Sequence, residues 1–204
     1  MLKSLLYFYM KYILITFLIF LKLISLSKAD DISEFEIGSF SIGQSLLEYK
    51  NKNQLKKFIS STQYPNQKYV IYDADHISAD ENYDYMTVTT KKGDNQYIIT
   101  SVAGIINYEE LDDCLEMKKE IRNSIEQIIK YDDFEETEFA SNRDKTGKSI
   151  IYGVQYYLKP YPSTESINVN CYHFSKETTS LQRNLKVSAN THEYSQFLIN
   201  EAFK

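Results

Sequence analysis

The sequence predicts an α+β fold: a mostly antiparallel sheet of about five or six strands with a long central helix packed on one face, a two-layer sandwich. Three observations lead there. Strand-like runs follow one another in two groups without intervening helices, which favours antiparallel pairing. One long segment with helical apolar spacing separates the groups. The two cysteines, Cys114 and Cys171, fall on the apolar sides of that helix and of a late strand.

The chain opens with a segment outside that domain. Its first part carries Lys3 and Lys11 and no acid, and Tyr12–Leu21 is nearly all aliphatic or aromatic. Ser27-Lys28-Ala29 then places small residues where a signal peptidase reads, and Asp30-Asp31 follows. This is the layout of a secretory signal cleaved after Ala29. The alternative is a retained anchor. Leu5–Leu26 has the span of about 20 residues that a membrane helix needs. Lys11 and Lys22 interrupt it, and a central lysine costs roughly 3 kcal/mol. No cysteine lies near Ala29 to take a lipid. The remainder, 30–204, suits a single domain.

Within the domain, Phe40–Gln44 reads as the start of a helix, with Ser41 as cap and Gln44 as its reciprocal partner. Ser45–Lys50 and Gln54–Ser60 follow as short helical turns. Tyr69–Tyr72 is a short strand. Tyr85–Lys91 and Tyr97–Ile106 are β-branched runs joined by Gly93-Asp94-Asn95, a hairpin signal. The second run is apolar on both faces, which places it centrally.

The long helix comes next. Asn107 and Glu110 fit a capping box, and Ile106 and Leu111 fit a hydrophobic staple. Acids at 109, 110, 112 and 113 precede Lys118, Lys119, Arg122 and Lys130, in the order the helix dipole favours. Leu111, Cys114, Leu115, Ile121, Ile125 and Ile128 form the apolar stripe. Then Ile150–Leu158 alternates, and Ile167, Val169 and Cys171 alternate with Asn168, Asn170 and Tyr172. Cys171 therefore points with the apolar set, as a bridge to the helix requires. Leu185–Ala189 is a further strand, and Asn190 with Glu193 caps a last helix carrying Tyr194, Phe197 and Leu198.

In an exported chain an even cysteine count predicts a disulfide, with two buried free thiols as the alternative. Closing a loop of this length stabilises the fold by about 4 kcal/mol if the geometry is unstrained. Removing the leader, which has four lysines and no acid, takes the net charge from −5 to −9. That surface argues against nucleic acid and anionic lipid as partners. Membrane association is expected only if the leader is retained. The abundance of Ile, Lys, Asn and Tyr reads as coding bias.

No motif for chemistry stands out. Asn142–Ser149, "NRDKTGKS", ends like a phosphate-binding loop, but Asn142 replaces the first glycine and a strand follows where a helix is needed. Asp144–Gly147 reads as a turn. Asp73, Asp75, His76 and Asp80 are weak candidates for a divalent cation; their spacing fits no calcium loop, and a solvated acidic loop is the plainer reading. His76, His173 and His192 have no zinc spacing. No cofactor pattern is present and no catalytic residue is assigned.

Ile32-Ser33-Glu34-Phe35 and Ile42-Gly43-Gln44-Ser45-Leu46, with the helical Cys114 and the strand Cys171, resemble a family of uncharacterised small exported proteins of AT-rich marine alphaproteobacteria. The resemblance spans most of 30–204. It implies export and a shared fold, and no activity. The expectation is a periplasmic or secreted, non-catalytic binding or envelope-accessory module with a protein or small-ligand partner. The alternatives are an enzyme with an unfamiliar carboxylate or histidine site, and the same domain held at the inner membrane by its leader.

Overall fold

A computed structural model of the protein describes residues 28–202. The signal-like core and the anchor alternative, at 1–27, lie outside the described residues. Among those described, no helix is long and apolar enough to cross a membrane.

Asp31 starts the fold by capping a tight turn over Ile32–Glu34, its Oδ1 accepting from Ser33 N at 2.9 Å. A small ribbon follows, β1 (Glu36–Ile37) and β2 (Phe40–Ser41), turned by Gly38 at φ +62°. The helix expected from Ser41 does not form. Gln44 Oε1 does accept from Ser41 N at 2.9 Å, but Gly43 sits at φ +87°, in the left-handed region that ends a right-handed helix before it begins. The capping boxes lie further on: Ser45 with Glu48 over a single turn, and Asn51 with Gln54 at α1 (Lys52–Leu55).

The remaining elements are β3 (Tyr69–Asp73), β4 (Tyr85–Lys91), β5 (Ile99–Asn107), α2 (Leu111–Ile128), β6 (Asp133–Ala140), β7 (Ile150–Tyr157), β8 (Ser166–His173), β9 (Asn184–Asn190) and α3 (His192–Asn200). Their strands form one sheet in the order β3-β4-β5-β9-β8-β7-β6, antiparallel at every step. Two meanders thus meet at β5 and β9. The sheet has seven strands rather than five or six. The unforeseen one is β6, whose sequence DFEETEFA lacks apolar alternation because nearly every side chain on both faces is exposed.

Both asparagines expected to cap helices end strands instead. Asn107 pairs with Asn184, and its N–H donates to Asp84 Oδ2 at 2.7 Å, so α2 starts later, behind Glu110 with no side-chain cap. Asn190 stays in β9 and accepts from Ser101 Oγ at 2.7 Å, while Thr191 caps α3 by accepting from Tyr194 N. In both places the partner strand satisfies the backbone before a cap can compete.

One face of the sheet carries the main core. Val88, Val102, Val187, Val169, Val154 and Tyr156 lie beneath α2 and the N-terminal ribbon, which contributes Ile32, Ile37 and Phe40. α2 offers Cys114 and Ile125 to this core, whereas Ile128 is 53% exposed and Ile129 is buried in its place. Cys114 is bonded to Cys171 of β8, S–S 2.06 Å and Cα–Cα 6.1 Å. The helices do not all share that face. Tyr69 points opposite to Tyr72, and it meets α3 through Tyr194 and Phe197 at ring distances of 5.0 and 4.7 Å. α3 therefore covers a corner of the second face, and the expected one-sided sandwich is corrected.

Candidate functional site

The acids singled out in the sequence are brought to separate tasks. Asp73 accepts from the Tyr85 hydroxyl, and Asp75 Oδ2 from Met86 N at 3.1 Å. Asp80 Oδ1 accepts from Asn82 N at 2.8 Å, and Asp84 from Asn107 N. His76 lies beside the Phe58 ring, 5.9 Å between centroids. Asp73, Asp75, His76 and Asp80 are thus not assembled as a ligand set, and among the described residues no three His, Cys, Asp or Glu side chains are placed to hold a metal ion. The histidines also stand apart: His173 stacks near Tyr108, where burial lowers its pKa, and His192 Nδ1 accepts from Thr164 N at 2.9 Å.

The phosphate-loop-like stretch is a turn closed by Gly147 N donating to Asp144 O. Its carboxylate is spent internally. Asp144 accepts from the hydroxyls of Ser149, Thr146 and Thr178, each at 2.7 Å, and these bonds hold its pKa far below the usual carboxylate range. Lys148 pairs with Glu177 at 2.7 Å rather than facing an open loop.

A shallow cleft of about 200 Å³ lies between α2 and the β6–β7 hairpin, lined by Leu115, Lys118, Glu136, Glu138 and Tyr152. Beside it Arg122 bonds Glu126 at 2.8 Å and also Glu136, and Tyr156 Oη donates to Glu126 at 2.9 Å. Arg122 chiefly holds Glu126 below its ordinary pKa, and burial lowers that of Lys118. A carboxylate fixed in its ionised form by a guanidinium and a phenol is a poor general acid at neutral pH. This network clamps the helix to the hairpin.

Beyond α3, the second face of the sheet carries a row-wise, partly exposed polar surface. Cross-strand register sets its side chains in rows. One row runs Thr87, Ala103, Ser188, Asn168, Gln155 and Glu135 across β4, β5, β9, β8, β7 and β6. The next runs Tyr85, Ile105, Lys186, Asn170, Gly153 and Thr137. Thr87, Asn168, Gln155, Lys186 and Asn170 are half-buried, while Val88, Val187, Val169 and Val154 on the opposite face are buried. Gly153 makes room here: a Cβ would stand 2.5 Å from Asn170 Oδ1 and 2.6 Å from Thr137 Oγ1. Amides, hydroxyls and one ammonium on this face can donate and accept hydrogen bonds.

Sequence reasoning anticipated that Asn168 and Asn170 point away from the core. It missed that they meet Ser188, Lys186 and Gln155, because strand order decides that. The polar alternation of Lys186 and Ser188 with Leu185, Val187 and Ala189 was the available signal. No protein-family model matches the chain, and neither a curated protein nor a solved structure does.

Proposed function

We propose that the protein is an exported, non-catalytic binding module, released by cleavage after Ala29 and akin to the small exported proteins of marine alphaproteobacteria that it resembles. The observation that carries the binding part is the half-exposed polar ladder on the second sheet face. Asp73, Asp75, Asp80 and Asp144 are engaged in internal hydrogen bonds, whereas Asn168, Asn170 and Lys186 lie together, half-exposed, on the sheet. The disulfide supports export, since such bonds persist in oxidising compartments. Processing has a structural cost. Ala29 N donates to Ile128 O at 2.8 Å and Ala29 O accepts from Lys130 N at 2.7 Å, and both bonds leave with the leader. At roughly 1 kcal/mol each, that loss is one the folded domain tolerates.

Expression of the whole chain in a Gram-negative host tests export. The expected product is periplasmic, begins at Asp30 and resists alkylation unless reduced. A cytoplasmic chain with its leader intact and two alkylated thiols overturns it. Binding is tested by capture of cell-envelope proteins on the wild type and on Asn168→Ala/Asn170→Ala/Lys186→Glu with an unchanged melting temperature. The triple variant should lose what the wild type retains; equal retention refutes the role of this face.

A further inference from the structure

The seven-stranded sheet has two edges, and among the described residues only the one at β3 is closed. At β3, Gln63 imitates a strand: its Oε1 accepts from Ile71 N at 3.0 Å and its Nε2 donates to Ile71 O at 2.8 Å. Ser60 N adds a bond to the same carbonyl at 2.9 Å, and Ile59 bridges Tyr72. At β6 nothing comparable is present among the described residues. Ser141 N donates to Ser149 O, and β6 pairs with β7 in unbroken register from Asp133 to Ala140. Backbone groups alternate in direction along an antiparallel strand. The groups of Asp133, Glu135, Thr137 and Phe139 therefore serve β7, and those of Phe134, Glu136, Glu138 and Ala140 point outward. Of these, Phe134 N donates to its neighbour Asp133 Oδ1.

Free edges invite pairing, and proteins blunt them with short strands, prolines, bulges or charge. This edge is eight residues long without proline or bulge. Its charge is all of one sign: Asp133, Glu135, Glu136 and Glu138, of which Glu136 is paired with Arg122. That pattern blocks a second copy. Antiparallel registers of β6 with itself set Glu136 against Glu136, Glu136 against Glu138, or Glu138 against Glu138, and like charges directly opposite are destabilising. The same pattern favours a strand of opposite charge. Phe134, 40% exposed, and Phe139, 51% exposed, lie on opposite faces near the two ends and offer apolar cross-strand contacts.

We infer that β6 takes an extended basic segment of a partner protein by strand addition, its lysines or arginines beside Glu135 and Glu138 and its apolar residues beside Phe134 and Phe139. This rests on the reading of the chain as a binding module, at a different surface from the polar ladder. The test uses the oxidised protein and a short peptide alternating lysine and valine, with its glutamate counterpart as control. The expected result is binding of the basic peptide alone, with slowed amide exchange at Glu136, Glu138 and Ala140. Glu138→Pro removes one outward donor and leaves the bonds to β7; Glu135→Lys/Glu138→Lys reverses the charge at the two contact positions with every donor kept. Each should weaken the basic peptide by about tenfold or more, and the charge reversal should admit the acidic one. Equal binding of both peptides, unaltered exchange on β6, or full affinity in the charge-reversed protein overturns the inference. So does protection of these amides by self-association without peptide. Because the assay involves neither export nor Lys186, its failure leaves the proposal for the polar ladder intact.

Discussion

Replacing Cys114 with alanine, or Cys171, or both, removes the link between α2 and β8. The bond closes a loop with a sequence separation of 57. The chain-entropy account gives about 4 kcal/mol for that separation. Both cysteines are fully buried, so alanine also leaves a small space on each side, and the entropic figure is a floor. Either single variant already breaks the bond, and a lone buried thiol behaves as a small apolar group. The three variants should therefore lose the same stability to within about 1 kcal/mol, rather than additively. Urea unfolding reads this directly. With a slope of about 2 kcal/mol per molar, the midpoint falls by about 2 M. The melting temperature falls by about 8–16 °C for a domain of this size. The comparison is made in free energy, since releasing the cross-link also lets the unfolded chain expand and changes the slope. A double variant within about 1 kcal/mol of the oxidised protein refutes the stapling argument, as does a double variant that loses twice what each single loses.

Acidification should weaken the turn at Asp144. Its folded pKa is depressed, so its contribution is complete above the unfolded value of about 4 and is lost as pH falls below it. Melting temperature should drop between about pH 5 and 2 with a shallower slope in Asp144→Asn, and parallel slopes count against the hydroxyl cage. Gly104→Ala drives a Cβ to 2.3 Å from the Tyr83 ring. It should cost about 1–3 kcal/mol, and much less in a Tyr83→Ala background; a purely additive double variant rejects the close approach as the cause. Phe197→Ala empties the corner between α3 and β3, where Phe197 touches Tyr64 and Tyr69 at ring distances of 5.1 and 4.7 Å. A loss of about 3–5 kcal/mol is expected in urea, and less than about 1 kcal/mol means that α3 is dispensable to the fold.

The parts of this architecture legible in the sequence are those with one buried face. β4 runs over Tyr85–Lys91 as expected, and β8 keeps Ile167, Val169 and Cys171 on the core side because burial enforces the period of two. Capping signals fared differently. Asn107 with Glu110 looks no different in sequence from Asn51 with Gln54, yet only Asn51 caps a helix. The distinction is non-local: Asn107 has Asn184 across from it, and Asn51 has no strand to join. β6 escaped notice for the opposite reason. A strand exposed on both faces has no burial to impose alternation, so its acids carry no strand signal. The candidate sites divide in the same way, since single positions such as Asn168 were legible, while the rows they form depend on strands distant in sequence.

The open surfaces follow from how much roof the chain provides. A helix with its side chains is about 10 Å across, and neighbouring strands lie about 4.8 Å apart, so one helix covers roughly two strands. On the core face, α2 lies over β8 and β9, and the N-terminal ribbon lies over β5 and β9. That leaves β6 beyond the helix. Among the described residues α3 is the only helix on the second face, where it meets Tyr64 and Tyr69 at one end and Thr164 ahead of β8. A seven-stranded sheet so thinly covered must place polar side chains where water reaches it, and Asn168, Asn170, Gln155 and Lys186 occupy those positions. If wetting were the only requirement, acids would serve as well in a chain of net charge −5. The polar positions of the rows from β4 to β7 instead hold amides, hydroxyls and one lysine, beside Ala103, Ile105 and Gly153, with Asp73 and Glu135 at the outer strands of their row. Solubility alone leaves that sorting unexplained, and the proposed partner laid across the strands would use these groups for hydrogen bonding.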